Sequence, residues 1–598
     1  MIKDMMRKWN LELIRKDFAV PRNIKIRQGV YQGDSWLPLI FILVTAGIVD
    51  TLKNDAELGR LTRSKHRIIA FMDDLKAHSP NLDGLKRMTT LIEEGAAELC
   101  LKLNKKKCGY YTREEEPEEM DAEEDRQFLP KVREGYKYLG LIQLEKDIPE
   151  ANFKRMEEKY LERTTAILGS KLTTNQKRKL YNCCPSWYLC HREIDLAVRK
   201  IAVCENIKNK PTASARFYLP ESVGGLAFRP LEVETCIQYI RRYVYLMSKD
   251  EVKEAKKIYM AMDKKGWRSP ISDFKHVAKK YGLTDPKVEK KKEIDFRAVC
   301  KDLIEEVKKA DLKTKKEDWI KAMSYPKLVL SLEDTISFPA VKSVNLDSSK
   351  LSLINASAEE QVFFKGKKMS TGVGTDGKCR FGCGVDETNY HVTTACRRSA
   401  LITRHDMVVW NILKLLRRKF GPPEKGPPKS LQVGQAALDE DYANFKIRAG
   451  APMLMDKKIK SNKPDIVIFR KEPKLAVVLE VSIPALKNYN LQKDIKLTKY
   501  TKNSVLDINM DNVRTVTRDQ NFCEILEATQ HCRALFCPVI IGTYGEFLES
   551  ENAGLYKTFG ELGVTEKEVE RLKETLCLSV ITSTTRMILK HLKAPETD

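Results

Sequence analysis

No apolar run in the sequence is long enough to cross a bilayer. The longest extends from Trp36 to Val49 and is interrupted by Pro38 and Gly47, so a membrane span is excluded and the run is read as a buried helix. No membrane partner is expected. The N-terminus lacks the charged, apolar and small-residue pattern of a secretory signal, and the fifteen cysteines are scattered along 598 residues. A disulfide scaffold is therefore excluded, and a reducing intracellular setting is expected. No internal repeat is present, and no basic stretch is clean enough to read as a nuclear signal. What the chain does have is ordinary hydrophobic content, 42%, with 106 Lys plus Arg against 83 Asp plus Glu. The hydrophobic content excludes a largely disordered chain. The net charge of +23 favours a polyanionic partner, of which nucleic acid is the commonest. The length calls for several cores, so a multidomain α+β protein is expected.

Residues 1–148 alternate helical periodicity with short β-rich runs, apart from an acidic stretch, Glu114 to Asp125, read as a solvated loop. Residues 149–250 are helical, broken at Pro211 and at Gly224-Gly225; residues 251–365 are helical and Lys-rich. A small Cys/His segment with a following helix occupies 366–420. The run Gly421-Pro422-Pro423-Glu424-Lys425-Gly426-Pro427-Pro428 reads as an extended linker, and α/β character returns over 430–598.

Ile68-Ile69-Ala70-Phe71-Met72-Asp73-Asp74-Leu75-Lys76-Ala77 sets two adjacent carboxylates between short apolar runs. A β-hairpin with the acids at its tip is the natural conformation, and such a tip can present carboxylates to divalent metals for nucleotidyl transfer. The plainer reading is a turn, since Asp is a favoured turn residue. Upstream stands Gln28-Gly29-Val30-Tyr31-Gln32-Gly33-Asp34-Ser35-Trp36-Leu37-Pro38-Leu39-Ile40-Phe41. Downstream follow Asn104-Lys105-Lys106-Lys107 and then Tyr138-Leu139-Gly140.

This order resembles the reverse transcriptases of non-LTR retrotransposons, whose palm carries a Gln-Gly-Asp…Pro-Leu…Phe segment, a Phe-x-Asp-Asp hairpin, an Asn-x-x-Lys segment and a Tyr-Leu-Gly primer grip. The resemblance implies that Asp73 and Asp74 are catalytic, metal-site residues. It places Gln32 and Gly33 near the incoming nucleotide, Lys107 near its phosphates, and Tyr138 to Gly140 on the primer backbone. It makes 1–148 part of a right-hand polymerase palm and 149–250 a helical thumb. There are departures: Trp36-Leu37 replaces the family's Leu-Ser before the proline. The family's other essential Asp lies on an earlier palm strand, and about thirty residues precede the Gln32-Gly33-Asp34 segment here. The fingers and that Asp are expected to be missing, and polymerase activity is not expected.

Cys379, Cys383, His391 and Cys396 form a C-x3-C-x7-H-x4-C pattern. Three thiolates and one imidazole suit tetrahedral zinc in a closed structural site, and Gly382 and Gly384 permit the turn. The alternative is chance clustering of buried thiols. Thr403-Arg404-His405-Asp406 then opens a helix. The retrotransposon family carries a knuckle of this type followed by an Arg-His helix, so the resemblance makes Arg404 and His405 nucleic-acid-binding. The bland alternative is a helix packed against the knuckle.

Lys463-Pro464-Asp465-Ile466-Val467-Ile468-Phe469 reads as one strand and Lys474 to Pro484 as a second, with Glu472-Pro473 as the turn. Asp465 and Glu480 are equidistant from that turn, so an antiparallel hairpin sets them face to face, with Cβ atoms roughly 5 Å apart. Such a pair can share Mg²⁺; an exposed cross-strand acid pair is the alternative, at odds with the apolar run from Leu475 to Ile483. The segment resembles a PD-(D/E)xK restriction-like nuclease in the form these retrotransposons carry. There the lysine sits on the following helix in a Lys-x-x-Lys-Tyr sequence, matched by Lys496-Leu497-Thr498-Lys499-Tyr500. The resemblance implies a catalytic role for Lys496 or Lys499 without deciding between them, and makes Cys537 to Gly545 a later core strand.

Together these readings imply a retrotransposon reverse transcriptase and endonuclease fragment acting on DNA and RNA, in the nucleus, with Mg²⁺ and Zn²⁺. Its remaining activity is expected to be metal-dependent DNA nicking. A catalytically inactive, nucleic-acid-binding remnant or repurposed copy is the alternative.

Overall fold

The computed structural model describes residues 10–15, 18–25, 37–62, 68–72, 74–112, 129–132, 135–138, 141–143, 149–183, 192–284, 296–321, 324–372, 376–396, 400–421, 438–456, 462–502, 504–509, 512–517 and 521–594. They fall into two compact units, Met1–Lys154 and Arg155–Asp598. Among the described residues no helix is long and apolar enough to cross a membrane.

Among its described residues the first unit carries three short antiparallel hairpins. Asn10–Arg15 pairs with Phe18–Lys25, Ile68–Phe71 with Asp74–Ala77, and Tyr136–Tyr138 with Leu141–Gln143. Two helices, Leu37–Asn54 and Leu82–Glu98, pack together through Ile48, Leu52, Met88, Leu91 and Ile92. The run read as a buried helix thus buries one face only. Leu39, Ile42, Leu43 and Val44 stay exposed, because the helix meets its partner along a single stripe. The acidic stretch expected as a loop lies outside the described residues.

In the second unit the expected thumb and Lys-rich segments are helical. The helix Leu231–Ser248 follows Pro230, whose ring fixes φ at −74° and lacks an N–H that a first turn leaves unpaired in any case. Its buried residues Val233, Cys236, Ile237, Ile240 and Val244 recur at helical spacing and meet Phe274, Val277, Leu303 and Val307 of the helices Pro270–Tyr281 and Phe296–Ile320. Buried Glu359 binds these layers together, accepting from Ala213 N at 2.8 Å, Trp319 Nε1 at 3.0 Å and Arg216 Nη1 at 3.3 Å. A buried carboxylate is tolerable only when its oxygens are satisfied in this way.

The C-terminal part is a five-stranded mixed sheet. Its order is Arg533–Ile540, Leu475–Ser482, Ile466–Arg470, Phe445–Ala449, Leu438–Asp441, with only the first pair parallel. Leu475–Ser482 is buried throughout except Ser482, as expected of a central strand covered on both faces. The helices Tyr489–Thr501, Phe522–Gln530 and Ala553–Glu561 pack on the sheet edge at Arg533–Ile540. The helix Leu401–Phe420 packs on both Leu475–Ser482 and the C-terminal helix Glu566–Lys593. The described residues from Arg155 onward cluster as one compact unit. The linker expected at Gly421 to Pro428 lies, apart from Gly421, outside the described residues, and the helix before it packs on the sheet after it.

Candidate functional sites

Ile68–Phe71 and Asp74–Ala77 pair with Phe71 opposite Asp74, which leaves two residues at the tip. Met72 there has φ of 53°, a left-handed conformation that costs a side-chain-bearing residue energy and is held where surrounding structure demands it. Asp74 is exposed beside it; Asp73 lies outside the described residues, as do Gln32, Gly33 and Gly140. Lys107 is exposed on a short 3-10 turn, and its carbonyl accepts from Tyr136 Oη at 2.6 Å. Tyr138 is buried, its hydroxyl has no partner among the described residues, and Lys76 Nζ stands 5.6 Å over its ring. Burial, with the Asp74 charge nearby, pushes the Tyr138 hydroxyl above its ordinary pKa. The hairpin tip and the Tyr136–Tyr138 strand therefore share one neighbourhood.

In the second unit Cys379, Cys383, His391 and Cys396 converge, with one ligand atom from each lying within 4.8 Å of all the others. Gly382 and Gly384, at φ of 72° and 73°, supply the left-handed residues of the turn. A π-helical turn, His391–Ala395, then returns the chain, closed by Cys396 N donating to His391 O at 2.7 Å. The Sγ atom of Cys396 lies 3.6 Å from that of Cys383 and 4.0 Å from that of Cys379. His391 Nε2 is buried without a hydrogen-bond partner among the described residues, and burial lowers the ring's pKa, favouring the neutral form that ligates metal. An orphaned imidazole nitrogen among three thiols fits a zinc ion. Sequence reasoning missed what stands behind this cluster. Glu387, fully buried, receives Arg380 Nε at 2.9 Å, Arg380 Nη2 at 2.7 Å and Arg380 N at 3.0 Å, while Arg380 Nη1 donates to Ala594 O at 3.0 Å.

The third site lies on the mixed sheet. Pairing of Ile466 with Leu479 extends by one step to set Asp465 opposite Glu480. Asp465 N donates to Glu480 Oε1 at 3.2 Å, and Val481 N donates to Asp465 Oδ2 at 2.8 Å. Glu480 is 2% exposed, and Lys496 Nζ sits 2.5 Å from its Oε2 while the Tyr500 hydroxyl donates to its Oε1. Burial, together with the Glu480 charge, pushes the Tyr500 hydroxyl far up, so it remains a neutral donor. Lys499 lies 4.8 Å over the Tyr500 ring, and burial draws its pKa below the ordinary lysine value. Lys496 thus reaches the carboxylate pair directly. The strand Arg533–Ile540 runs parallel alongside, with Pro538 opposite Glu480.

One neighbour was unexpected. His405, on the Leu401–Phe420 helix, brings Nε2 to 3.2 Å from Asp465 Oδ2 and Nδ1 to 3.2 Å from Asp406 Oδ1. Burial opposes charging of this ring, yet the two acids outweigh it and hold its pKa above the usual value. Burial likewise opposes charging of Asp465, but His405, Lys496 and Val481 N–H outweigh it and hold the carboxyl below its usual range. The adjacent Arg404, paired with His405 in the sequence reading, is 3% exposed, and its guanidinium bonds Thr584 Oγ1 at 3.0 Å and Ile483 O at 3.4 Å. A side chain so enclosed braces the helix and does not present its charge to a phosphate. No signal short of knowing which helix face meets the sheet could have separated the two residues. Opposed carboxylates flanked by a lysine fit a hard divalent cation.

With the geometry in hand, comparison with known families places residues 2–143 in the match to one described as reverse transcriptase (RNA-dependent DNA polymerase). The first unit is therefore reverse-transcriptase-related, a family that implies nucleic-acid partners and divalent metal. A comparison with curated proteins finds no match to the chain.

Proposed function

We propose that this is the reverse transcriptase and endonuclease of a non-LTR retrotransposon, and that residues from Arg155 onward nick DNA at a centre formed by Asp465, Glu480 and Lys496. The carrying observation is that an opposed Asp465–Glu480 pair on a buried hairpin receives Lys496 from the next helix at 2.5 Å. A buried acid is costly unless paired, so two facing acids joined by a lysine at a sheet end call for a functional reason. Mg²⁺ held by the two carboxylates would supply Lewis acidity toward a phosphodiester. Lys496, anchored by Glu480, would orient the attacking water and steady phosphate charge. The water oxygen would bond to phosphorus and give up a proton to solvent, the P–O3′ bond would break, and the leaving 3′ oxygen would take a proton from solvent to become a free hydroxyl that can prime synthesis.

The Cys379, Cys383, His391 and Cys396 cluster would hold structural zinc. The Asp74 hairpin, Lys107 and Tyr138 would grip a primer and RNA template. A groove of about 420 Å³ between the helices Leu401–Phe420 and Glu566–Lys593 offers Lys414, Arg418 and Arg571 to backbone phosphates. Its one acid, Glu568, is already paired with Lys419 at 3.1 Å. The expected site of action is chromosomal DNA, hence the nucleus.

The test is conversion of supercoiled plasmid to open circle by purified protein with Mg²⁺. Asp465→Ala should cut nicking to roughly a hundredth or less, beyond the usual effect of an outer partner, while leaving plasmid binding nearly intact. Plasmid that is bound but stays supercoiled with the parent protein would instead favour a binding-only chain.

A further inference from the structure

We infer that His405, backed by Asp406, is a positioning residue of the Asp465 centre, fixing which carboxylate oxygen faces a bound divalent cation. The inference rests on the nuclease reading above. Asp465 Oδ2 is held twice, by Val481 N at 2.8 Å and by His405 Nε2 at 3.2 Å. Those two contacts come from different elements, the central strand and the Leu401–Phe420 helix, so together they set both the place and the rotation of the carboxylate. Among the described residues Oδ1 accepts no hydrogen bond. Asp406 Oδ1, 3.2 Å from Nδ1, holds the far side of the ring and keeps it from swinging away. Lys496 and Tyr500 perform the corresponding service for Glu480 from the Tyr489–Thr501 helix. Each acid of the pair is thereby steered by a separate helix.

A simple staple between helix and sheet would make the same contacts, and it makes a different prediction. Loss of a staple lowers stability; loss of a positioning group weakens metal binding with stability unchanged, since His405 is about a third exposed, with 31% of its side chain accessible. Outer partners of metal-binding side chains typically contribute 10–100-fold to affinity or activity.

The experiment compares full-length parent, His405→Ala and His405→Gln, in which the amide can restore a donor toward Asp465. Three readouts are taken: Mn²⁺ affinity by calorimetry on protein whose Cys/His cluster is preloaded with zinc, Mg²⁺-dependent plasmid nicking, and thermal unfolding. The expected result is a roughly 10–100-fold loss of Mn²⁺ affinity and nicking in His405→Ala, substantial recovery in His405→Gln, and unfolding close to the parent's. Parental Mn²⁺ affinity in His405→Ala overturns the inference, as does a loss matched by lowered stability in both variants. If the parent binds Mn²⁺ but never nicks, the nuclease reading falls while the variants' affinities still decide the role of His405. If the parent neither binds nor nicks, both fall.

Discussion

Lys496 and Lys499 are one helical turn apart and chemically alike, yet they stand in different relations to Glu480. Lys496 meets Oε2 directly, whereas Lys499 lies over the Tyr500 ring with its charge disfavoured by burial. Lys496→Ala should therefore reduce nicking on the order of 10²-fold or more, and Lys499→Ala by clearly less, in side-by-side plasmid assays. Equal losses would mean that Lys499 swings in when substrate binds. Tyr500→Phe removes one donor from a buried carboxylate and keeps the ring that stacks on Phe536. A loss of about 10-fold in nicking, with unfolding altered by only about 1–3 kcal/mol, is expected. Facing of Asp465 and Glu480 was legible in the sequence, because paired residues of a hairpin keep a constant sum of positions and Glu472-Pro473 marked the centre. The choice between the lysines was not legible, nor was the split fate of Arg404 and His405. Successive helical residues diverge by about 100°, and the sequence does not say where the sheet stands around the helix.

At the scale of elements, the Cys/His turn is supported by more than its four ligand groups. Arg380, next to Cys379, forms a buried pair with Glu387, 3% and 0% exposed by side chain. Removing one partner of such a pair leaves an uncompensated charge and costs about 3–5 kcal/mol. Glu387→Gln should thus destabilise this part of the chain by on the order of 3 kcal/mol, measured by urea unfolding of chelator-treated protein at neutral pH. Burial opposes ionisation of Glu387, but Arg380 outweighs it and holds its pKa below the ordinary 4.5. A depressed carboxylate contributes its stability above that ordinary value and loses it as pH falls through the folded one. The gap between parent and variant should accordingly be full at neutral pH and narrow below pH 4.5. A gap that widens in acid would contradict the pairing. Spacing of the cysteines and the two glycines made the turn readable in advance. Glu387 was not readable, since an acid eight residues past a cysteine looks like any surface residue until its arginine is seen.

For the whole molecule, the net charge of +23 sets the expectation that binding to nucleic acid falls steeply with salt. If the groove beside the C-terminal helix holds backbone phosphates, neutralising Lys414 and Arg418 together should flatten the logarithmic salt dependence by roughly two units, at about 0.9 per contact. An unchanged slope would put the phosphates elsewhere. Broad organisation was partly legible: the order of hairpins, helices, Cys/His turn and mixed sheet follows the reading of the chain. The domain partition was less so, because periodicity reports which residues seek burial and not which partner buries them. A proline-rich run looked like a border, and the Leu401–Phe420 helix ignores it. That has a practical consequence for modular exchange. A C-terminal module cut at residue 430 and grafted onto another protein would carry the strand with Asp465 and leave behind the helix bearing His405 and Arg404. The donor would keep an orphaned helix, and the recipient a sheet with one flank uncovered. A portable unit must begin upstream of Leu401, and the bond from Arg380 Nη1 to Ala594 O ties the Cys/His turn to the same piece.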